Sequence, residues 1–426
     1  MNLQNLRNQD LRNYVDEIEA APLGVLMDKA SPDVRAALER SRQRQELTPE
    51  DGLLLYSAEG DDLRAAIKCA DLARAEDVGD EVTYVVNRNI NFTNICFVGC
   101  QFCGFKRQRW ESDAYDHSDE TILNKVGDAV ARGATEICMQ GGINPEMPDF
   151  KYRDLLRTIK RGYPEIHIHA FSPMEIMFGA RRVRMEYPEY IAMLREAGLG
   201  SIPGTAAEIL DDSVREILSH KKVDVATWVD IITTAHALGV RTTSTVMYGH
   251  VESRRHVVNH LNLLRDIQKL THGFTEFVPL RFIHENTVLF RKGLVAEPPP
   301  KGTLDFQMYA TSRLFLRGQI DNLQTSWVKL GVELAALTLK AGCNDFSGTL
   351  MEESITAQAG GDSGEFVPVD VIEEKARAMG RVAVERSTLY KKLYGKKAPN
   401  GARPITTSPS PVHQADHHAC GGSGGG

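Results

Sequence analysis

The chain has 426 residues, 42% of them apolar and 25% charged, a balance that excludes a predominantly disordered or fibrous protein. Against 57 acidic side chains there are 50 basic ones, for a formal charge of -7, so neither nucleic acid nor an anionic membrane is expected as a partner. No stretch approaches the roughly 18 apolar residues of a membrane span, and the polar opening Met1-Asn2-Leu3-Gln4 lacks the apolar core of a signal peptide; a cytoplasmic location is expected.

Residues 1–81 are expected to form a helical extension. Ser31-Pro32 and Thr48-Pro49 each set a capping side chain before a proline at the first helical position, and Leu63, Ile67 and Ala70 mark an apolar helical face. From residue 82 onward, short β-rich runs alternate with helical stretches, the pattern of β-α units around a parallel sheet. Eight strands are expected, at 82–90, 135–140, 166–171, 199–202, 241–247, 275–280, 322–327 and 343–346. The expected fold is α/β: a (β/α)8 TIM-type barrel over 82–395, preceded by the helical extension. Gln324, Thr325 and Ser326 are polar and the eighth run is short, which leaves a six-unit, partly open barrel as the alternative. Residues 396–426 are rich in Pro, Ser, Gly and His. They bury too little apolar area to offset their ordering entropy, so a disordered tail is expected rather than a metal site built from His413, His417, His418 and Cys420.

Seven cysteines, three of them crowded into 96–103, do not read as a disulfide framework; in a reducing compartment metal binding is the better reading. Cys96, Cys100 and Cys103 are spaced CxxxCxxC. Three thiolates this close can wrap one face of a 4Fe-4S cubane and leave a fourth iron without a protein ligand. A zinc ribbon needs a second CxxC pair and a ferredoxin a fourth local cysteine, whereas Cys69, Cys138, Cys343 and Cys420 are isolated. Zinc or a structural thiol cluster remains the other reading.

With an aromatic residue, Phe102, just before the last cysteine, the motif resembles the radical S-adenosylmethionine superfamily. The resemblance implies a 4Fe-4S cluster held by Cys96, Cys100 and Cys103, with S-adenosyl-L-methionine on the open iron, cleaved reductively to methionine and a 5'-deoxyadenosyl radical. It also implies cofactor contacts from Phe102, from the glycine pair Gly141 and Gly142, from Glu175 and from Met247. Plainer readings stand beside these: a hydrophobic residue under the loop for Phe102, a helix cap for Glu175 and a core methionine for Met247.

Longer strings at 139–145 (MQGGINP), 167–173 (HIHAFSP), 203–210 (PGTAAEIL), 247–252 (MYGHVE) and 344–354 (NDFSGTLMEES) resemble one family within that superfamily. This is the tyrosine-using family of deazaflavin biosynthesis, FO synthase subunit 2, or 5-amino-6-(D-ribitylamino)uracil:L-tyrosine 4-hydroxyphenyl transferase. The resemblance implies cleavage of L-tyrosine between Cα and Cβ and transfer of its 4-hydroxybenzyl fragment to 5-amino-6-(D-ribitylamino)uracil, with a reducing electron donor and FO synthase subunit 1 as functional partners. Aminofutalosine synthase and dehypoxanthine futalosine cyclase are the related alternatives, and an electron-transfer iron-sulfur protein is the alternative from another class. Polar residues near strand ends then become candidates. His169 and Tyr248 are the catalytic candidates. Arg281 is the candidate for a bidentate contact with the tyrosine carboxylate, and His250, Asn344 and Asp345 are further substrate contacts. A satisfied structural histidine for His169 and a rim salt bridge for Arg281 are the plain alternatives.

Overall fold

Runs of β-branched and apolar residues buried on both faces suit parallel strands covered by helices, and the seven residues Thr242–Tyr248 are of this kind. The computed structural model describes residues 8–297 and 299–394, so the expected tail at 396–426 lies outside the described residues. Its strands are β1 (Glu81–Val85), β2 (Asn87–Ile90), β3 (Glu136–Met139), β4 (His167–Ala170), β5 (Thr242–Tyr248), β6 (Phe274–Arg281), β7 (Asp345–Gly348) and β8 (Val382–Glu385). Helices Asn8–Ala20, Leu23–Lys29, Pro32–Arg42, Pro49–Tyr56 and Gly60–Val78 precede β1.

A closed parallel circuit runs through these strands. β2 pairs with β3 and β3 with β4, the bridge His169 to Ser201 carries on to Ile202 and Thr242, and β5 pairs with β6. Bridges from Phe277 to Leu323 and from Gln324 to Asp345 lead to β7, which pairs with β1 through Thr83 and Asp345. The barrel is closed, not a partly open six-unit form, and its fourth and seventh members are reduced to the bridge segments around 201–202 and 323–324. A few main-chain bonds hold them, such as the Gln324 N–H on the Phe277 carbonyl at 3.0 Å and the Ile202 N–H on the Arg241 carbonyl at 3.0 Å, and Asn344 Oδ1 adds one by accepting the Leu323 N–H at 2.8 Å. The eighth barrel strand accordingly starts two residues later than the sequence suggests.

The expected strand 82–90 is divided at Val86 because its partner changes. Below this point one edge carries β8, with the Arg386 N–H on the Tyr84 carbonyl at 2.8 Å; above it the same edge carries β3, with the Thr135 N–H on the Val86 carbonyl at 2.9 Å. The sequence reading missed β8, a ninth strand outside the barrel circuit. Its end feeds Arg386 into the lower end of the barrel.

Helices start where the sequence supplies caps. Ser172 and Glu175 form a reciprocal capping box for Pro173–Val183, and Thr48 and Asp51 do the same for Pro49–Tyr56. No helix among the described residues is long and apolar enough to cross a membrane. His260, fully buried in helix Arg254–Thr271, ties that helix to the barrel: its Nδ1 accepts the Leu210 N–H at 3.0 Å and its Nε2–H donates to the Thr245 carbonyl at 2.9 Å. Burial lowers its pKa to about 3. The unfolded chain therefore binds a proton below about pH 6.5 that the fold refuses, and the stability this group contributes is lost as pH falls toward 3. His260→Ala is expected to cost about 2 to 4 kcal/mol at pH 7.5, because two buried backbone groups lose their partners. It should also flatten the decline in stability between pH 6.5 and 4, as read by denaturant unfolding at each pH.

Candidate active site at the carboxyl ends of the barrel strands

Beyond β2 the chain forms a loop over the barrel mouth that carries all three clustered cysteines. Main-chain bonds fix it: the Cys96 N–H reaches the Arg107 carbonyl at 3.1 Å, the Phe97 N–H reaches the Ile143 carbonyl at 3.1 Å and the Gln101 N–H reaches the Leu218 carbonyl at 2.8 Å. Cys96, Cys100 and Cys103 are free, partly buried, and line one cavity of about 430 Å³, within the range of small-molecule sites. Burial pushes the Cys100 thiol up to about 12 and raises Cys103, and nearby thiols add to both shifts. Cys100 and Cys103 therefore ionise together only against a strongly cationic group. No three His, Cys, Asp or Glu side chains among the described residues converge as ligands of a single metal ion do.

Gly141 and Gly142 follow β3 and line the cavity, but their need for glycine comes from the protein itself. A Cβ on Gly141 would stand 2.5 Å from the Phe92 ring, and one on Gly142 would strike the Ile95 carbonyl, the residue before Cys96. Their N–H groups donate to Glu175 Oε1 at 3.0 Å and to the Thr93 carbonyl at 2.7 Å. The pair thus seats the cysteine loop against the end of β3. Glu175 fulfils its helix-cap reading through Ser172, at 2.7 Å to both the N–H and the hydroxyl, and it also borders the cavity. Burial raises its carboxyl to about 7 despite the three hydrogen bonds it accepts.

Phe102 and Met247 also line the cavity. Lys222 stands 5.2 Å from the centre of the Phe102 ring and pairs with Glu208 at 2.6 Å. The Arg215 guanidinium holds the Glu208 segment by donating to the carbonyls of Ala206 and Ala207 at 2.9 and 2.6 Å. His169 faces the cavity with Nδ1 2.7 Å from Ser201 Oγ, which also meets His167 Nε2 at 2.8 Å. Burial lowers His169 to about 4, so it is neutral near pH 7.

Two family models match this chain, the radical SAM superfamily over residues 90–264 and the CofH/MqnC C-terminal region over 271–394. The chain is 45% identical over 347 residues to the 5-amino-6-(D-ribitylamino)uracil--L-tyrosine 4-hydroxyphenyl transferase of Methanothermobacter thermautotrophicus, covering 82% of this chain and 94% of that protein. The chain belongs to this radical S-adenosylmethionine transferase family. It is also 49% identical over 385 residues to the FO synthase of Mycobacterium tuberculosis, covering 90% of this chain but 44% of the relative, so it spans less than half the length of that protein. Among solved structures, methylornithine synthase (PylB) aligns with a TM-score of 0.63 at 17% identity, over 82% of this chain and 97% of that one. The [FeFe]-hydrogenase maturase HydG aligns at 0.63 and 14%, over 88% and 79%. At those identities both speak to the shared barrel fold. The cofactors of the superfamily are a 4Fe-4S cluster and S-adenosylmethionine.

Four polar residues that the transferase resemblance nominated do not line the cavity. Tyr248 is fully buried with its hydroxyl donating to Asp305 Oδ1 at 2.7 Å; since side chains alternate along β5, the cavity face belongs to Met247. His250 lies in the following turn, Nε2 on the Met247 carbonyl at 3.0 Å and Nδ1 3.0 Å from Glu252. Asn344 and Asp345 sit at the amino end of the eighth barrel strand, because β7 begins at Asp345. Asn344 accepts from Arg313 at 2.7 Å, and Asp345 accepts from Thr83 at 2.6 Å and pairs with Arg386 at 2.5 Å. Arg281 does border the cavity, yet its NH1 is held by both oxygens of Asp305 at 2.8 Å. Its fork is therefore committed within the protein, close to the rim salt bridge of its plain reading.

Cavity residues that the sequence reading missed include Glu136, Glu208, Lys222, Glu276, Lys329 and Arg386. Glu136 and Glu276 carried a usable signal, as lone carboxylates inside otherwise apolar strands. Glu208 sat within the PGTAAEIL string; the others had no local signal.

Proposed function

We propose that this chain transfers the 4-hydroxybenzyl fragment of L-tyrosine to 5-amino-6-(D-ribitylamino)uracil, the step of FO biosynthesis for which its archaeal relative is named. The observation that carries this reading is the set of three cysteines opening into one cavity at the carboxyl ends of a closed barrel. Bound there, the cluster and S-adenosylmethionine supply a hydrogen-abstracting 5'-deoxyadenosyl radical. The protein's part is to hold and to exclude. Cys96, Cys100 and Cys103 would hold the cluster, and Phe102, Met247, Glu175 and the loop seated on Gly141 and Gly142 would border the S-adenosylmethionine. His169, neutral and fixed through Nδ1, offers Nε2 to a substrate. Cavity walls keep water from a reactive radical and hold its target close. A low-potential reductant and the companion activity of FO synthase, as a second subunit, complete the reading. Free thiols suit a reducing cytoplasm.

The tyrosine carboxylate needs a cation with no other partner. Of the cations that line the cavity, Arg281 is taken by Asp305, Lys222 by Glu208 and Arg386 by Asp345, and Lys106 belongs to the cysteine loop itself, three residues after Cys103. Lys329, in the short helix Trp327–Leu330 beyond the seventh barrel position, lines the cavity, and its Nζ forms no ion pair or hydrogen bond among the described residues. Burial lowers its pKa, with the charge of Glu353 opposing; a buried ammonium without an ion pair favours an anionic ligand. Lys329→Gln is expected to weaken tyrosine binding roughly tenfold to a hundredfold, the range for a hydrogen bond to a charged group. Iron content should stay unchanged in the reconstituted variant.

The paramagnetic spectrum of the reduced, reconstituted protein tests the reading as a whole. Adding S-adenosylmethionine should change it, and L-tyrosine should then stimulate 5'-deoxyadenosine release. A spectrum indifferent to S-adenosylmethionine would return the protein to the electron-transfer class.

A further inference from the structure

The interior of a barrel of this kind is ordinarily filled by layers of branched apolar side chains. Here the lower end of the cavity is polar and acidic. Glu136 at the start of β3 and Glu276 in β6 both line it, each less than a tenth exposed, and Asp345 lies beneath with no exposure at all. Among the described residues one cation, Arg386, meets two of these carboxylates: it pairs with Asp345 at 2.5 Å and reaches Glu276 at 3.5 Å. Above them Gln324 donates to Ser347 Oγ at 3.0 Å, and both border the same cavity. Protein donors meet part of this charge, Asn87 Nδ2 giving to Glu136 at 2.8 Å, Thr83 to Asp345 at 2.6 Å and the Tyr390 hydroxyl to Glu276, and the remaining lone pairs of the two cavity-lining carboxylates call for further donors.

We propose that this floor is a polyol subsite that takes the ribityl chain of the aminouracil substrate; the proposal rests on the transferase reading above. Three features point to a neutral polyhydroxyl chain. The surplus of negative charge repels a carboxylate, so the amino-acid head group is kept to the upper part of the cavity, near Lys329. Acceptors are spread over several strands, which matches successive hydroxyls, each able to donate once and accept twice. A phenol would offer a single hydroxyl, whereas the wall here carries the acceptors Glu136, Glu276, Gln324 and Ser347 beside only two apolar side chains among the described residues, Val85 and Val278.

The test is equilibrium binding to the anaerobically reconstituted protein. The ligands are 5-amino-6-(D-ribitylamino)uracil and an analogue whose ribityl chain is cut to a methyl group, with tyrosine and phenylalanine measured in parallel. The wild type should prefer the ribityl compound at least tenfold. Glu276→Gln keeps an oxygen for Tyr390, whose hydroxyl donates to Glu276; it should weaken the ribityl compound about tenfold while leaving the truncated analogue and tyrosine within twofold. Ser347→Ala, which breaks no ion pair, should act in the same direction and serves if Glu276→Gln does not fold. Equal binding of the ribityl and truncated compounds by the wild type would overturn the proposal. So would a Glu276→Gln effect that falls on tyrosine and spares phenylalanine, because the floor would then hold the phenol. Tyrosine-stimulated 5'-deoxyadenosine release is read on the same samples: if it persists while the ribityl preference is absent, the subsite fails and the transferase reading stands; if both are absent, both fail.

Discussion

Replacing any one of Cys96, Cys100 or Cys103 by Ala is expected to reduce S-adenosylmethionine cleavage to below about 1% of wild type, because a cubane left with two protein thiolates is lost or badly held. The three residues share one loop and one cavity, and no other cysteine stands in that loop. Cys69 and Cys343 lie in the apolar core, and Cys138 borders the cavity from β3 rather than from the loop. Single Ala variants at Cys69, Cys138 and Cys343 should therefore keep their iron. Iron analysis and 5'-deoxyadenosine formation read both halves of this expectation. A Cys100→Ala protein that cleaves at the normal rate would end the cluster assignment.

The largest stability effect is expected at Arg386. Its guanidinium is buried, bonded to Asp345 and close to Glu276, and it lies 4.0 Å from the centre of the Tyr390 ring. Arg386→Leu removes the only cation from the barrel floor among the described residues and leaves buried carboxylates uncompensated, a change that typically costs about 3 to 5 kcal/mol. The deficit should shrink toward acid pH, because burial raises the Glu276 carboxyl to about 7 and protonating it removes unpaired charge. Denaturant unfolding at pH 8 and pH 5.5 measures both. A loss below about 1 kcal/mol at pH 8 would mean that the floor tolerates bare carboxylates.

Local signals made the barrel and the cluster loop legible. The CxxxCxxC spacing, the capping serine and glutamate at Ser172 and Glu175, and the β-branched run of β5 are all written in neighbouring residues. What escaped depends on distant partners. The run 82–90 reads as one strand, yet β8 and β3 take consecutive stretches of the same edge, and nothing within the run marks that exchange. Asn344 and Asp345 were nominated for the mouth because a two-residue shift in where β7 starts moves them to the floor. Arg281 ends β6 as expected, but its partner Asp305 arrives from a helix 24 residues later. Met247 and Tyr248 could not both face inward on one strand, and alternation alone does not say which one does. Arg386 carried no signal because it follows the last barrel strand, in a segment the eight-unit pattern had no use for.

The most direct measurement supplies ring-labelled L-tyrosine, S-adenosylmethionine, a reductant and 5-amino-6-(D-ribitylamino)uracil to the reconstituted protein and follows the label by mass spectrometry. The expected result is an adduct that carries the labelled hydroxybenzyl ring on the intact ribitylaminouracil, formed together with 5'-deoxyadenosine. Label that stays in tyrosine or appears only in free phenolic fragments, from protein whose cluster responds to S-adenosylmethionine, would contradict the proposed transfer, as would turnover confined to futalosine-pathway substrates.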